Sequence, residues 1–391
     1  MPTHMAVGHA ATGDGRTQGV AAATQAREAL GREPLFGIVF ATSQVDLAAL
    51  SAGVAEVLGD VPFIGCSTAG EFTTGHVSAG GTAVTLVASD ALGVAVASAE
   101  GLRSNTPRAV RSLAQGLRTP HRAPPPGAAH GTVLLLCDGM AGNGEGLVDA
   151  LAMELGAAVA ITGGAAGDDA AFKETEVFVG SRVLKDAVVG IQLTSARPLG
   201  VGVHHGWCAA SAPGEVTAAE GATLIAIDGK PAIEFYRAYA EKIGFELTPE
   251  NQNQFVFTHE LGLVLMNGEL KVRAPLSVNP DGSIHCATEV PVGQTVRVVE
   301  GDHDAIVAAA RQAAEQAVKG LGGAKAAGAI VFDCVARKLV LGDAFAREVQ
   351  AFEEVVGAPV LGFNTYGEIA RVRGQLSGFH NTTAVVVALP A

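Results

Sequence analysis

Residues Gly65–Glu71 read G-C-S-T-A-G-E, and residues Gly362–Glu368 read G-F-N-T-Y-G-E. In each, two glycines five positions apart lead directly into a carboxylate, and an apolar run precedes the first of them: V-P-F-I at 61–64 and P-V-L at 359–361. A third stretch, T-G-G-A-A-G-D at Thr162–Asp168, loses the first glycine and keeps the second with its acid. Internal repetition constrains architecture before any other signal. It predicts one α/β unit used three times, with loops that converge.

The surrounding sequence supports three such units. In the first, the apolar run 37–41 is followed by Leu47, Leu50, Val54 and Val57 at helical spacing, then 61–64, the loop, and T-A-V-T-L-V-A at 82–88. The second runs through 132–136, a helix on Leu147, Leu151 and Leu155, then 158–161 and 187–193. The third has 329–332, a helix on Phe345, Val349, Phe352 and Val356, then 359–362 and 383–389. Continuous apolar strands alternating with helices predict an α/β fold of mixed, largely parallel sheets. The loops then lie beyond the carboxyl ends of strands, where open α/β sheets bind ligands.

Residues 199–319 read differently. A strand at 199–207, a helix after I-D-G-K-P (227–231), strands at 255–258 and 261–266, a hairpin turn at Asn267–Gly268 and an alanine-rich helix over 304–319 are predicted. Two domains result, 35–228 and 229–391, with residues 1–34 expected to be a flexible arm leading into the first strand.

Composition narrows the function. The chain has 391 residues, a net charge of −13 and 48% hydrophobic residues. Nucleic acid and anionic membranes need a basic face, and no Lys/Arg cluster offsets the acidic sign. No apolar run reaches the ~18 residues of a membrane span. The five cysteines are scattered without a C-x-x-C pair, which fits a reducing compartment, and the N-terminus shows no secretory pattern. A cytoplasmic protein is expected.

Conventional catalytic signatures, from G-x-S-x-G to the P-loop, are missing. The G-M-A-G-N-G-E-G stretch at 139–146 is either an anion cradle at a helix start or a glycine-rich turn. Glu71 and Glu368 either receive an ammonium or hydroxyl group or tie their loops by accepting amide bonds. Ser67, Thr68, Asn364, Thr365 and Tyr366 supply polar neighbours. His380 and Asn381 return toward the third loop, and His205 stands in H-H-G-W beside Trp207, the single tryptophan. Cys334 and Arg337 follow a strand in D-C-V-A-R; the thiol is either activated by the guanidinium or inert, and Arg337 suits a carboxylate.

Taken together, V-P-F-I-G-C-S-T-A-G-E (61–71), H-G-W (205–207), the later V-T and I-D-G-K-P-A, D-C-V-A-R (333–337) and G-F-N-T-Y-G-E with H-N-T-T (380–383) resemble the FIST sensory proteins over about residues 35–391. The resemblance implies an N-terminal and a C-terminal FIST domain in a cytoplasmic signal-input module for small ligands, amino acids or their relatives. It further implies partners among histidine kinases and cyclic-dinucleotide signalling proteins. Some members bind haem and sense nitric oxide, so a haem-binding reading stands beside the first, with His380, His205 and then Cys334 as axial candidates. No kinase or cyclase segment stands within the chain, so the signal is expected to pass to a separate partner. The ligand-binding set is then Arg337 for a carboxylate, Glu368 or Glu71 for an ammonium, and Tyr366 and His380 closing the pocket. No metal site is expected. A small-molecule enzyme using Cys334 or a glutamate pair is the third reading, although no nucleophile stands at readable spacing from a base.

Overall fold

The computed structural model describes residues 2–78, 80–372 and 378–391. Three six-stranded sheets share one construction. The first runs His4–Ala10, Thr82–Ala88, Phe36–Thr42, Phe63–Thr68, then Val177–Val179 and Arg182–Leu184. The second runs Leu92–Glu100, Ala187–Ser195, His130–Cys137, Val159–Ala165, then Glu368–Arg371 and Gly378–His380. The third runs Gly200–His204, Ala384–Pro390, Ala326–Cys334, Val360–Thr365, then Glu71–Thr73 and His76–Ser78. Each sheet holds one parallel pair, the strands on either side of a crossover helix. The closing strand then returns antiparallel, so the sheets are mixed, with a smaller parallel share than the apolar runs imply.

The last hairpin of every sheet comes from another unit. Unit two lends a hairpin to the first sheet, unit three to the second and unit one to the third. This exchange explains the glycines. Phe178 lies opposite Gly65, Ile369 opposite Gly163 and Phe72 opposite Gly362. A Cβ on Gly65 would stand 2.2 Å from the Phe178 ring, and one on Gly362 2.2 Å from the Phe72 ring. Gly65 and Gly362 therefore make room for a neighbour's ring; Gly163 stands at the same register position, where a Cβ would meet the Leu135 carbonyl at 1.9 Å instead.

The three sheets share one core. Phe40, Phe332 and Phe363 pack ring on ring, with Phe40–Phe363 centroids 4.3 Å apart, among Ile64, Leu134 and Val189. Each such ring contributes about 1.5–3 kcal/mol on burial.

Residues 1–34 are not an arm. His4–Ala10 pairs along its whole length with Thr82–Ala88. Helix Gly15–Leu30, capped by Asp14, packs so closely on its neighbour that a Cβ at Gly19 would meet the Leu50 carbonyl at 2.3 Å. Its buried face is Ala22, Ala23 and Ala26, small residues that give no strong apolar stripe to read.

A nine-stranded sheet built from residues 208–300 sits beside this body. Thr223–Ile227 pairs with Lys230–Pro231 inside it, so the strands on either side of residue 228 share this layer. The Asn267–Gly268 turn joins strands Leu261–Val264 and Leu270–Arg273 as expected. Residues 255–258, expected as a strand, belong to helix Gln252–Thr258; three apolar residues are too few for periodicity to separate the two. Helix His303–Gly320 lies against Gly200–His204, where Cβ atoms at Gly200 and Gly202 would fall within 1.8 Å of helix carbonyls.

Candidate functional site

The glycine–acid loops meet backbone to backbone. Ala69 N–H donates to the Asn364 carbonyl (3.0 Å) and Asn364 N–H to the Gly70 carbonyl (2.7 Å). Gly167 N–H donates to Ser67 (3.0 Å), and Tyr366 N–H to Ala165 (3.0 Å). Each loop thus bonds to both others, and in the third copy the second glycine permits the approach: a Cβ on Gly167 would stand 2.6 Å from Ala69 N.

The polar side chains of these loops turn inward. Ser67, Thr68, Glu71, Asn364, Thr365, Glu368, His380 and Asn381 are all buried. Thr68 Oγ1 donates to Glu71 (3.2 Å), and Thr365 Oγ1 makes the same bond to Glu368. Gly81 N–H supports Glu71 (2.7 Å) and Thr383 N–H supports Glu368 (3.1 Å). Burial raises the Glu71 carboxyl to about 7 and that of Glu368 to about 8, and these hydrogen bonds only partly oppose it. In this arrangement both carboxyls accept hydrogen bonds from their own loops, one of the two roles the sequence left open. In the third copy, Asp168 accepts from Tyr366 Oη and from the N–H groups of Phe172, Lys173 and Glu174. Tyr366 stacks on Phe172, with centroids 4.4 Å apart. The loop holding Phe172 is strained, with φ of +53° at Asp169, +63° at Ala170 and +52° at Phe172.

Arg337 is placed differently from the sequence reading. It is fully buried, and its guanidinium contacts Asp333 (3.0 Å) and Glu348 and donates to the carbonyls of His205, Thr382 and Ile306. These partners engage the whole fork, so Arg337 braces the fold and has no donor left for a ligand carboxylate. Glu348 and Asp333 overcome the burial that opposes its charge.

A FIST N domain model matches residues 35–230, and a FIST C domain model matches 232–371. The chain belongs to the FIST family. FIST domains are sensory, small-ligand-binding domains of signal transduction. No curated protein shows significant similarity to the chain. Among solved structures, the crystal structure of "cyanuic acid hydrolase" from A. caulinodans aligns over 99% of both chains at 10% identity and a TM-score of 0.35, a likeness too slight to carry an argument.

The haem alternative known within the FIST family meets poor geometry here. His205 uses both ring nitrogens: Nδ1 accepts from Trp207 N–H (2.9 Å), so Nε2 carries the proton donated to the Leu270 carbonyl (3.0 Å). Burial lowers its pKa to about 4. His380 is enclosed, with Nε2 against the Ala370 carbonyl, and burial together with Lys271 and Arg273 holds it well below the usual value. Burial drives the Cys334 thiol well up, opposite to activation. His205 has both ring nitrogens engaged, His380 Nε2 faces a carbonyl, and the Cys334 thiol is buried and protonated, so these atoms do not fit as haem ligands in this arrangement.

Two spaces lie nearby. A cavity of about 30 Å³, room for a single water, lies between Asp138, Asn143, Thr288, Tyr366 and Phe379. It joins the 139–146 turn to the third loop and to the hairpin-rich layer. An open groove of about 620 Å³ runs past His204, Trp207, Cys208, Glu269 and Gln312. Sequence reasoning missed Lys338, whose Nζ reaches the Ala69 carbonyl (3.1 Å), and Asp169, which accepts from Thr42 and Ser43. It also missed Glu260, a buried acid ahead of an apolar strand. Such a lone charge before L-G-L-V gives a sequence reader no signal.

Proposed function

We propose that this FIST protein senses a small organic metabolite of the amino-acid class at the carboxyl ends of the unit-three strands, beneath the hairpin-rich layer. The observation behind this reading is the concentration there of buried polar atoms without hydrogen-bond partners: both carboxyl oxygens of Glu260, Asn364 Nδ2, Asn381 Nδ2, Thr382 Oγ1 and Trp207 Nε1. Native interiors leave few such groups, and each calls for a water, ion or ligand. The adjoining cavity is too small for an amino acid, so the ligand enters as the hairpin-rich layer shifts against the three-unit body. Unequal binding to the two arrangements is then the signal, passed to a separate histidine kinase or cyclic-dinucleotide enzyme in the cytoplasm. Five free cysteines fit such a compartment, and among the described residues no helix is long and apolar enough to cross a membrane.

Thermal shift against free amino acids and small metabolites tests this reading. At least one compound is expected to raise the melting temperature in proportion to log concentration, with the rise reduced in Asn381→Ala. A flat response across the panel overturns it.

A further inference from the structure

Glu260 is the least explained ionisable group in the molecule. Its backbone is fixed, the carbonyl accepting from Val299 N–H (2.9 Å) between helix Gln252–Thr258 and strand Leu261–Val264. Its side chain is fully buried, and neither carboxyl oxygen has a hydrogen-bond partner. A carboxylate left so is among the costlier defects a core can hold. Its electrostatic neighbours are Glu368 and Cys334 at the ends of unit three, and Tyr236 and Cys286 in the hairpin-rich layer. The Tyr236 hydroxyl is likewise buried and unpartnered.

Among the described residues, no side-chain cation hydrogen-bonds to this acid. Arg337 is held by Asp333 and Glu348, while Lys271 and Arg273, the cations facing His380, pair with Glu145 at 2.7 and 2.9 Å. Among the described residues no three His, Cys, Asp or Glu side chains come close enough to hold a metal ion. Two unpartnered acceptor oxygens on one residue, with the unpartnered Tyr236 hydroxyl and the Glu368 carboxyl as electrostatic neighbours, suit a compact donor with three N–H bonds.

We propose that Glu260, together with Glu368, is the acceptor for a primary ammonium group, and that binding there displaces a proton. The inference rests on the sensory reading above and names the ligand group recognised. Without ligand the carboxyl keeps its proton; burial holds Glu260 well above the ordinary range and Glu368 at about 8. When R–NH₃⁺ enters, a carboxyl O–H bond breaks, its electron pair stays on the carboxylate, and the proton leaves to solvent. The net charge of the site is unchanged. Occupancy thus becomes pH-linked, and Glu260, in the layer opposite Glu368, ties the two bodies together only when the cation is present.

Isothermal titration with ethylamine, L-alanine and propionate at pH 7, in phosphate and in HEPES, tests the proposal. Ethylamine and L-alanine are expected to bind and propionate not, with heats that differ between buffers by about one proton released per ligand. Glu260→Gln, nearly isosteric with the protonated acid, is expected to weaken binding at least about tenfold and to remove the buffer dependence. Equal heats in the two buffers, or unchanged binding in Glu260→Gln, overturn it. Should that variant fail to fold, the buffer comparison on the unaltered chain decides alone. If a neutral or anionic metabolite binds while both amines do not, this inference falls and the sensory reading stands; if nothing binds, both fall.

Discussion

Ala69 and Asn364 are joined by a backbone hydrogen bond of 3.0 Å, answered by one of 2.7 Å from Asn364 to Gly70. Two loops from opposite ends of the chain are therefore a single short ladder. Their hydroxyl–carboxyl pairs, Thr68 with Glu71 and Thr365 with Glu368, face inward on either side of it. A ladder closed in this way is a poor moving part.

The hairpin exchange predicts coupled mutations. Gly362→Ala forces a methyl into the Phe72 ring and should cost about 1–3 kcal/mol. Phe72→Ala should cost about 3–5 kcal/mol through its cavity. In the double variant the new methyl occupies vacated space, so the total should fall at least ~0.5 kcal/mol below the sum. Urea titration of all four proteins measures this, and strict additivity would refute the contact.

Arg337 should behave as a structural cation. Arg337→Lys keeps one charge but cannot serve two carboxylates and the carbonyls of His205, Thr382 and Ile306 together. Breaking such a buried set should cost about 3–5 kcal/mol, read as a fall in the urea midpoint. A variant of unchanged stability with lost ligand response would return Arg337 to the binding site.

Much of the architecture was legible because repetition and strand periodicity are local signals. The crossover pairs around Gly65 and Gly362 could be read from adjacent apolar runs. What the first glycines serve could not, since Phe178 and Phe72 arrive from distant hairpins. The same limit governs the site. Arg337 beside Cys334 reads as an anion contact until Glu348, one helix later, folds back onto it. Glu260 acquires meaning only when the hairpin-rich layer brings it to Glu368.

Glu368 separates two kinds of loss. Glu368→Gln retains a neutral group of the same shape, and should cost under about 1 kcal/mol. Glu368→Ala leaves Thr365 and the Thr383 N–H without their partner beside a cavity, and should cost about 2–4 kcal/mol. Equal midpoints for the two variants in urea would mean that the carboxyl supports nothing.

Stability should fall as the solution turns alkaline from pH 6.5. In the unfolded chain Glu71 and Glu368 lose their protons near 4.5, whereas the folded protein keeps them until about 7 and about 8. Over that interval the unfolded state binds fewer protons, so rising pH favours unfolding. Glu260 and Asp333, raised by the same burial, act in the same direction. His205, at about 4 when folded, and His380 act oppositely: their contribution is complete above 6.5 and is lost as pH drops toward 4. The upper limb therefore belongs to the carboxyls, and the share of Glu71 and Glu368 should amount to roughly 2 kcal/mol between pH 6.5 and 8, at about 1.4 kcal/mol per unit. Urea midpoints across that range should decline in the unaltered chain and decline less steeply in the Glu71→Gln/Glu368→Gln double variant, where only Glu260 and Asp333 remain to drive the fall. A level or rising profile in the unaltered chain would show that these loops hold ionised carboxylates.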